Sequence, residues 1–355
     1  MNRDLRIDST YVCPRTKEAL RSVTAGLTTG DAGPVYAVRN GIPQFLRFAP
    51  AENAKTEEQL QRLNQVARES GWKVALDTVY GADQRFIRYV TETERTSFLN
   101  LLPLRADSAV LEIGPGLGQI TTALARRARS VNALEIVSAQ AEFAAERCRQ
   151  ENLLNVHFAV GGDDCHLPYM NESFDLVVLN LVFEWCALRC TDENFEDVQR
   201  RLLDEMFRVL KPGGSVYLAT KNRFSFHNLV GAPDEHCYWL RFGSALPKWL
   251  RTRLMKRLGH DRPLGVLYSH NDLERLLKRA GFEKTVSFWA TPEMRYPTHY
   301  VPTDAASVRN ARREPGFSQG NTRSSRLLMQ LVPARWVKHF TPGLAFLAAK
   351  PSRRA

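Results

Sequence analysis

A chain of 355 residues with 44% hydrophobic and 25% charged residues can fill one large globular domain or two modest ones. Its net charge of +11 is uneven, because the stretch from Arg241 onward carries 22 Lys/Arg against 7 Asp/Glu and leaves the first 240 residues net acidic. No run of about 18 apolar residues is present to form a membrane-spanning helix, and the start, MNRDLRIDST, lacks the apolar centre of a secretory signal, so a cytoplasmic protein is expected.

Residues 10–47 read as a small β-rich unit, in which PVYAV alternates and RNG marks a turn. Residues 54–104 place apolar side chains at three-to-four spacing and predict helix. From Ala109 short apolar strands alternate with helices. AVLEIG, SVNALEI, VHFAVG, FDLVVLNL and SVYLAT are the strands. QITTALARRA and SAQAEFAAERCRQENL are helices, the second with Ser138 as its expected N-cap. NFEDVQRRLLDEMFRVL is a third, stopped at Pro212 and Gly213. Continuous apolar strands between helices predict a parallel sheet covered on both faces. NDLERLLKRAGF adds a helix, EKTVSFWAT and GLAFLAAK two strands, and the intervening 295–340 has little periodicity.

Six cysteines, Cys13, Cys148, Cys165, Cys186, Cys190 and Cys237, form no C-x-x-C pair, so core or surface thiols are expected rather than a metal site. The basic last third implies an anionic neighbour such as nucleic acid, phospholipid headgroups or an acidic substrate, or simply a solvated basic surface.

The segment VLEIGPGLGQIT orders Glu112, Gly114, Gly116 and Gly118 as G-x-G-x-G after an acid. A dinucleotide fingerprint needs G-x-G-x-x-G, and Gln119 stands at its last glycine. The pattern resembles that of class I S-adenosylmethionine-dependent methyltransferases, of the methyltransferase-11 kind. Three further segments carry the likeness. Glu135, 17 residues after Gly118, ends the second strand where a carboxylate can accept ribose hydroxyls, with Ile136 beside it. GGDDCHLPYMNESFDLVVLN is similar to the family's third-to-fourth strand segment, and MFRVLKPGGSVYLAT to its helix, turn and fifth strand. The resemblance implies a Rossmann-like, doubly wound α/β fold with a seven-stranded sheet, and S-adenosyl-L-methionine as cofactor. It implies Glu112, Gly114, Gly116, Gly118, Glu135, Ile136, Asp163, Asp164 and Asn180 as cofactor residues, and no metal. The front of the chain resembles the Trm112-like, zinc-ribbon-derived segment of some bacterial methyltransferases, with Cys13 the one cysteine kept. The implied boundaries are 1–50 for that segment, 51–104 for a helical lead-in or lid, 105–290 for the core with an insertion at 222–268, and 291–355 for a long insertion and the last strand.

The acceptor is less defined. NLVFEW, Asn180 to Trp185, stands where some nucleic-acid adenine methyltransferases carry N-L-P-Y, and the glycine loop is similar to that of ribosomal RNA adenine dimethylases. Val182 and Phe183 depart from that pattern, and the segment better matches the methyltransferase-11 form, with Glu184 at the edge of the cofactor pocket. Residues 221–260 resemble insertions in methyltransferases of polysaccharide and cell-envelope biosynthesis. Hydroxyl acceptors ordinarily need a general base. His236, flanked by Asp234 and Glu235, is the first candidate, Glu184 the second, and His227 and His270 are reserves. The expected activity is O-methylation of a sugar, glycan or related metabolite. The alternatives are a lipid or quinone precursor, RNA, or a non-catalytic scaffold; a nucleic-acid partner is the less expected. In 246–258, Leu246, Trp249, Leu250, Leu254 and Leu258 share one helical face with basic residues elsewhere, which predicts a lid helix or a contact with the inner membrane surface.

Overall fold

The computed structural model describes residues 10–48, 54–314, 316, 317, 326 and 330–353. The start of the chain and much of 315–329, part of the aperiodic segment, lie outside the described residues.

In chain order, the N-terminal strands are β1 (Arg21–Val23), β2 (Gly26–Thr28), β3 (Val35–Tyr36), β4 (Val38–Arg39) and β5 (Ile42–Pro43). Helices α1 (Ala54–Ser70), α2 (Trp72–Tyr80) and α3 (Gln84–Thr91) and a 3-10 helix at Thr93–Leu101 follow. Next come β6 (Ala109–Ile113), α4 (Gln119–Ala125), β7 (Ser130–Glu135), α5 (Ser138–Gln150), β8 (Val156–Val160), β9 (Phe174–Asn180), α6 (Phe195–Val209) and β10 (Leu210–Lys221). The remainder holds α7 (Phe226–Leu229), β11 (Pro233–Asp234), β12 (Leu240–Arg241), α8 (Lys248–Arg257), α9 (His270–Arg279), β13 (Glu283–Thr291), β14 (His299–Pro302), α10 (Ala305–Ala311) and β15 (Gly343–Ala349).

The large sheet has the order β14-β13-β15-β10-β9-β6-β7-β8. Strands β6, β7 and β8 pair parallel, whereas β13 pairs antiparallel with both β15 and β14. Every residue of β6 is buried, as its unbroken apolar run requires. The expected Rossmann-like α/β architecture is present, but with eight strands rather than seven. The eighth, β14, comes from the aperiodic segment, where four residues alternate too briefly to announce a strand. Strand order reverses beside β6, which puts a crevice at its carboxyl end.

Two compact units divide the chain, one running to Val178 with Asp204–Ser215 and Ser352–Ala355, the other Leu179–Leu203 with Val216–Pro351. In the first, α1 and α2 bury Leu63, Ala67, Trp72 and Leu76 against Phe143 of α5 and Leu117 of the glycine loop. The expected helix over 54–104 is thus four short helices. Ser138 is the first helical residue and caps nothing; its hydroxyl lies 3.4 Å from Gln44 Oε1, and the cap position is Val137. The N-terminal strands lie at the β8 edge, where Gln44 bridges Val160 and Tyr11 donates to the Phe158 carbonyl. Cys13 is buried with its sulfur 3.1 Å from the Tyr36 hydroxyl. Strand β10 begins directly after α6, so the turn expected at 211–214 is absorbed into it.

In the second unit, Trp289, Val301, Val308 and Val337 form a core. Helix α8 does not bury the apolar stripe as a packed lid helix would. Arg251 and Met255 are its buried residues, Leu250 and Leu254 are half-buried, and Trp249 and Leu258 are exposed.

Candidate functional site

In the first unit the site begins where β6 delivers Glu112 to the glycine loop. Glu112 is buried, and its Oε2 has no hydrogen-bond partner. Burial pushes its carboxyl up to about 7, opposed by the neighbouring Thr121 hydroxyl and the Arg95 guanidinium and aided by the Glu135 charge. Glu135, at the end of β7, accepts from the Gly116 amide at 3.0 Å and from the amides of Ile136 and Val137 at 2.8 and 3.1 Å. The carboxylate expected to meet a ribose therefore also pins the loop. Gly116 has φ 55°, and a Cβ there would meet nothing within 4 Å. At Gly118 a Cβ would stand 2.9 Å from Ala144 Cβ, so that glycine is needed for helix packing. Ile136 is 36% exposed, an apolar surface beside the carboxylate.

Asp163 accepts from the amides of Arg47 and Phe48, the latter at 2.8 Å, so the N-terminal segment fixes it. Asp164 pairs with Arg15 at 2.7 Å, and Cys165 is fully buried. Sequence reasoning missed these N-terminal partners. It missed Arg95 too, which donates to Gln119 Oε1 at 3.2 Å and to the Tyr89 carbonyl and hydroxyl. Nothing in the amphipathic spacing of 84–101 distinguishes Arg95 from a solvated arginine.

These features fit a cationic nucleoside cofactor. A buried carboxylate with an unused oxygen suits an ammonium group, and the bare backbone at Gly116 leaves room for a ligand chain.

In the second unit, Asn180 is buried at the end of β9. A cavity of about 220 Å³ is lined by Leu181, just past β9, by Lys221 and Asn222 at the end of β10, and by residues of 225–239 and 293–295. His236 borders it. Its Nδ1 lies 3.0 Å from Asp234 Oδ1, its backbone amide donates to the same oxygen, and its Nε2 has no partner. Trp185 stacks on the imidazole with centroids 4.4 Å apart. Burial opposes ionisation of Asp234, but hydrogen bonds from His236 and Ser244 outweigh it and hold the carboxyl at about 2. Lys221 contacts Glu235; burial, then the charge of Arg295, lowers its ammonium to about 8.

Of the other candidates, two lie outside this cavity lining. Glu184 is fully buried, accepts from Thr220 Oγ1 at 2.7 Å and is not in the cavity lining. Its other oxygen, Oε1, is buried and has no hydrogen-bond partner. His270 is buried against Ser287 and Phe346, and burial lowers it to about 4. His227 does line the cavity.

Residues 111–218 match the methyltransferase-11 family, a methyltransferase domain. The chain carries a class I, S-adenosylmethionine-dependent methyltransferase domain. It is similar to the biotin biosynthesis bifunctional protein BioHC of Cellvibrio japonicus, 32% identical over 53% of this chain and 34% of that one. Likewise it resembles the malonyl-[acyl-carrier protein] O-methyltransferase of a Marinomonas species, 34% identical over 48% and 64%. The demethylmenaquinone methyltransferase of Lactobacillus johnsonii is 32% identical over 34% of this chain and 47% of its own length. The chain thus spans between about a third and two thirds of these relatives. Among the described residues no cluster of three or more His, Cys, Asp or Glu could hold a metal ion, and no helix is long and apolar enough to cross a membrane.

Proposed function

We propose that the protein methylates a hydroxyl of a small polyhydroxylated acceptor, a sugar or glycan unit, using S-adenosyl-L-methionine. The observation that carries this reading is the Asp234–His236 pair at the cavity. Asp234 accepts from Nδ1, so Nε2 is the basic nitrogen, and it has no protein partner. Such a nitrogen can take the acceptor's hydroxyl proton as the oxygen forms its new bond to carbon. The bound cofactor supplies the methyl group, leaving as its neutral thioether. Glu112, Glu135 and the loop amides would hold its amino acid and ribose portions.

Around His236 the lining alternates hydrogen-bond donors and acceptors, including Asn228, Glu235, Glu293 and Arg295, with Trp239 as an exposed aromatic face. Those groups suit a ring bearing several hydroxyls. The two cations Lys221 and Arg295 also support a second reading, a carboxyl acceptor of the kind that the malonyl-[acyl-carrier protein] relative's name describes. A carboxylate oxygen is already a nucleophile and needs no base.

The test is isotope-labelled methyl transfer from S-adenosylmethionine to a panel of sugars, nucleotide sugars and short carboxylic acids, with wild type and His236→Ala. Transfer to a hydroxyl that collapses in the variant supports the first reading. Transfer to a carboxyl that survives the substitution replaces it with the second. No heat on titrating S-adenosylhomocysteine would sink both.

A further inference from the structure

From Cys237 through His260 the sequence contains no Asp or Glu, but it contains Arg241, Lys248, Arg251, Arg253, Lys256 and Arg257. Arg251 is buried, and Lys248 reaches Glu196 at 3.4 Å. The other four form no ion pair among the described residues. The same insertion and the turn before it expose large apolar side chains: Val230 (71%), Trp239 (68%) and Trp249 (69%), with Leu229, Phe242 and Leu258 also exposed. Phe242 lies against Gly231, next to Val230. Exposed tryptophans and aliphatics are costly in water unless something covers them.

We propose that residues 229–258 seat on an anionic lipid surface, with Trp239, Phe242 and Trp249 at the headgroup boundary and the four unpaired cations facing lipid phosphates. Charge complementarity commits the occupant, since 237–258 is cationic and carries no carboxylate, while of the two acids before it Asp234 is buried and Glu235 is in contact with Lys221. The aliphatic members favour lipid over single-stranded nucleic acid, because bases stack on aromatic rings and gain little from Val230, Leu229 or Leu258. Indole rings lie well at the boundary of headgroups and chains.

The test is co-sedimentation of the full chain with vesicles of phosphatidylcholine alone or with one quarter phosphatidylglycerol, read together with tryptophan emission. Partition into the anionic vesicles with a blue shift, and none into the neutral ones, is expected. Trp249→Ala, and separately Lys256→Glu with Arg257→Glu, should each lower partition, the charge reversal by at least roughly tenfold. If the double variant loses its cooperative melt, high salt on the wild type serves instead and should release the vesicles. Absence of partition into anionic vesicles overturns the proposal. So does charge-reversed protein that still binds fully, or salt-sensitive binding to a single-stranded RNA without vesicle binding.

Discussion

Asp234 Oδ1 lies 3.0 Å from His236 Nδ1 and also accepts the His236 amide, so one carboxylate oxygen fixes both the imidazole and its backbone. Its second oxygen accepts the Ser244 amide at 2.6 Å. The two-residue spacing places the pair at the β11–β12 hairpin, whose register matches Asp234 to Leu240. With Trp185 stacked on the ring, the imidazole is held in this orientation, its Nε2 buried and without a protein partner.

Replacement of His236 by Ala should cut kcat about a hundredfold or more while leaving S-adenosylhomocysteine affinity within about twofold. Asp234→Asn tests the orientation separately. An amide NH₂ toward Nδ1 favours the tautomer protonated on Nε2, which cannot accept a proton, so kcat should fall by a comparable factor. Steady-state kinetics on both variants checks this, and near-normal turnover in both would remove the pair from catalysis.

Glu112 couples cofactor binding to pH. Its carboxyl sits at about 7 in the free protein, raised first by burial, against an ordinary value of 4.5. A cationic cofactor requires the carboxylate, so affinity for S-adenosylhomocysteine should climb from pH 5.5 to 7.5 and then level off, with proton release visible by calorimetry in buffers of different ionisation heat. The stability sign follows from the same shift. The contribution of this group is fully present below 4.5 and is lost as pH rises to and through 7, by about 3 kcal/mol in all. Glu112→Gln should flatten the pH dependence of affinity and should gain in Tm relative to wild type between pH 5 and 8. A variant that keeps the wild-type pH profile would place the titrating group elsewhere.

The central sheet was legible because its strands are unbroken apolar runs and its glycine loop has a distinctive spacing. What escaped is long-range. The amides of Arg47 and Phe48 lock Asp163 from more than a hundred residues away, and Arg95 reaches Gln119 through a turn whose angle no periodicity encodes. Glu135 was legible as a carboxylate at a strand end, yet its backbone partners depend on how the loop folds over it. His236 could be singled out by its acidic neighbour, whereas Lys221 and Arg295 join the same cavity through the packing of separate segments. Helix α8 was legible as a helix, but not which face it buries: its apolar stripe was plain, yet Arg251 and Met255 took the buried face.

Lys221 should stand apart from the other lysines in reactivity. With burial and Arg295 lowering it to about 8, half of it is a free amine at pH 8, where a lysine near 10.4 is under about one per cent neutral. Trace acetylation at pH 8 followed by peptide mass spectrometry should find Lys221 among the fastest-modified lysines, although its contact with Glu235 shields it in part. An acceptor in the cavity should slow the modification. Uniform labelling, or labelling indifferent to a saturating acceptor, would show that this amine does not face the acceptor.

The two loop glycines should fail in different ways when changed to alanine. Both have positive φ, which costs an L-residue about 1–2 kcal/mol. At Gly116 the added methyl meets only open space, so the fold should lose no more than that strain while S-adenosylhomocysteine affinity falls at least about tenfold. At Gly118 the methyl collides with Ala144 Cβ at 2.9 Å, and overpacking should bring the total loss to about 2–4 kcal/mol. Adding Ala144→Gly removes the collision, so Gly118→Ala should cost less in that background than in wild type, even though a helical glycine itself costs about 1 kcal/mol. Urea melts give the stabilities and calorimetry the affinities. Equal stability losses at the two positions, with no coupling between residues 118 and 144, would mean that α4 and α5 do not approach as closely as the fold requires.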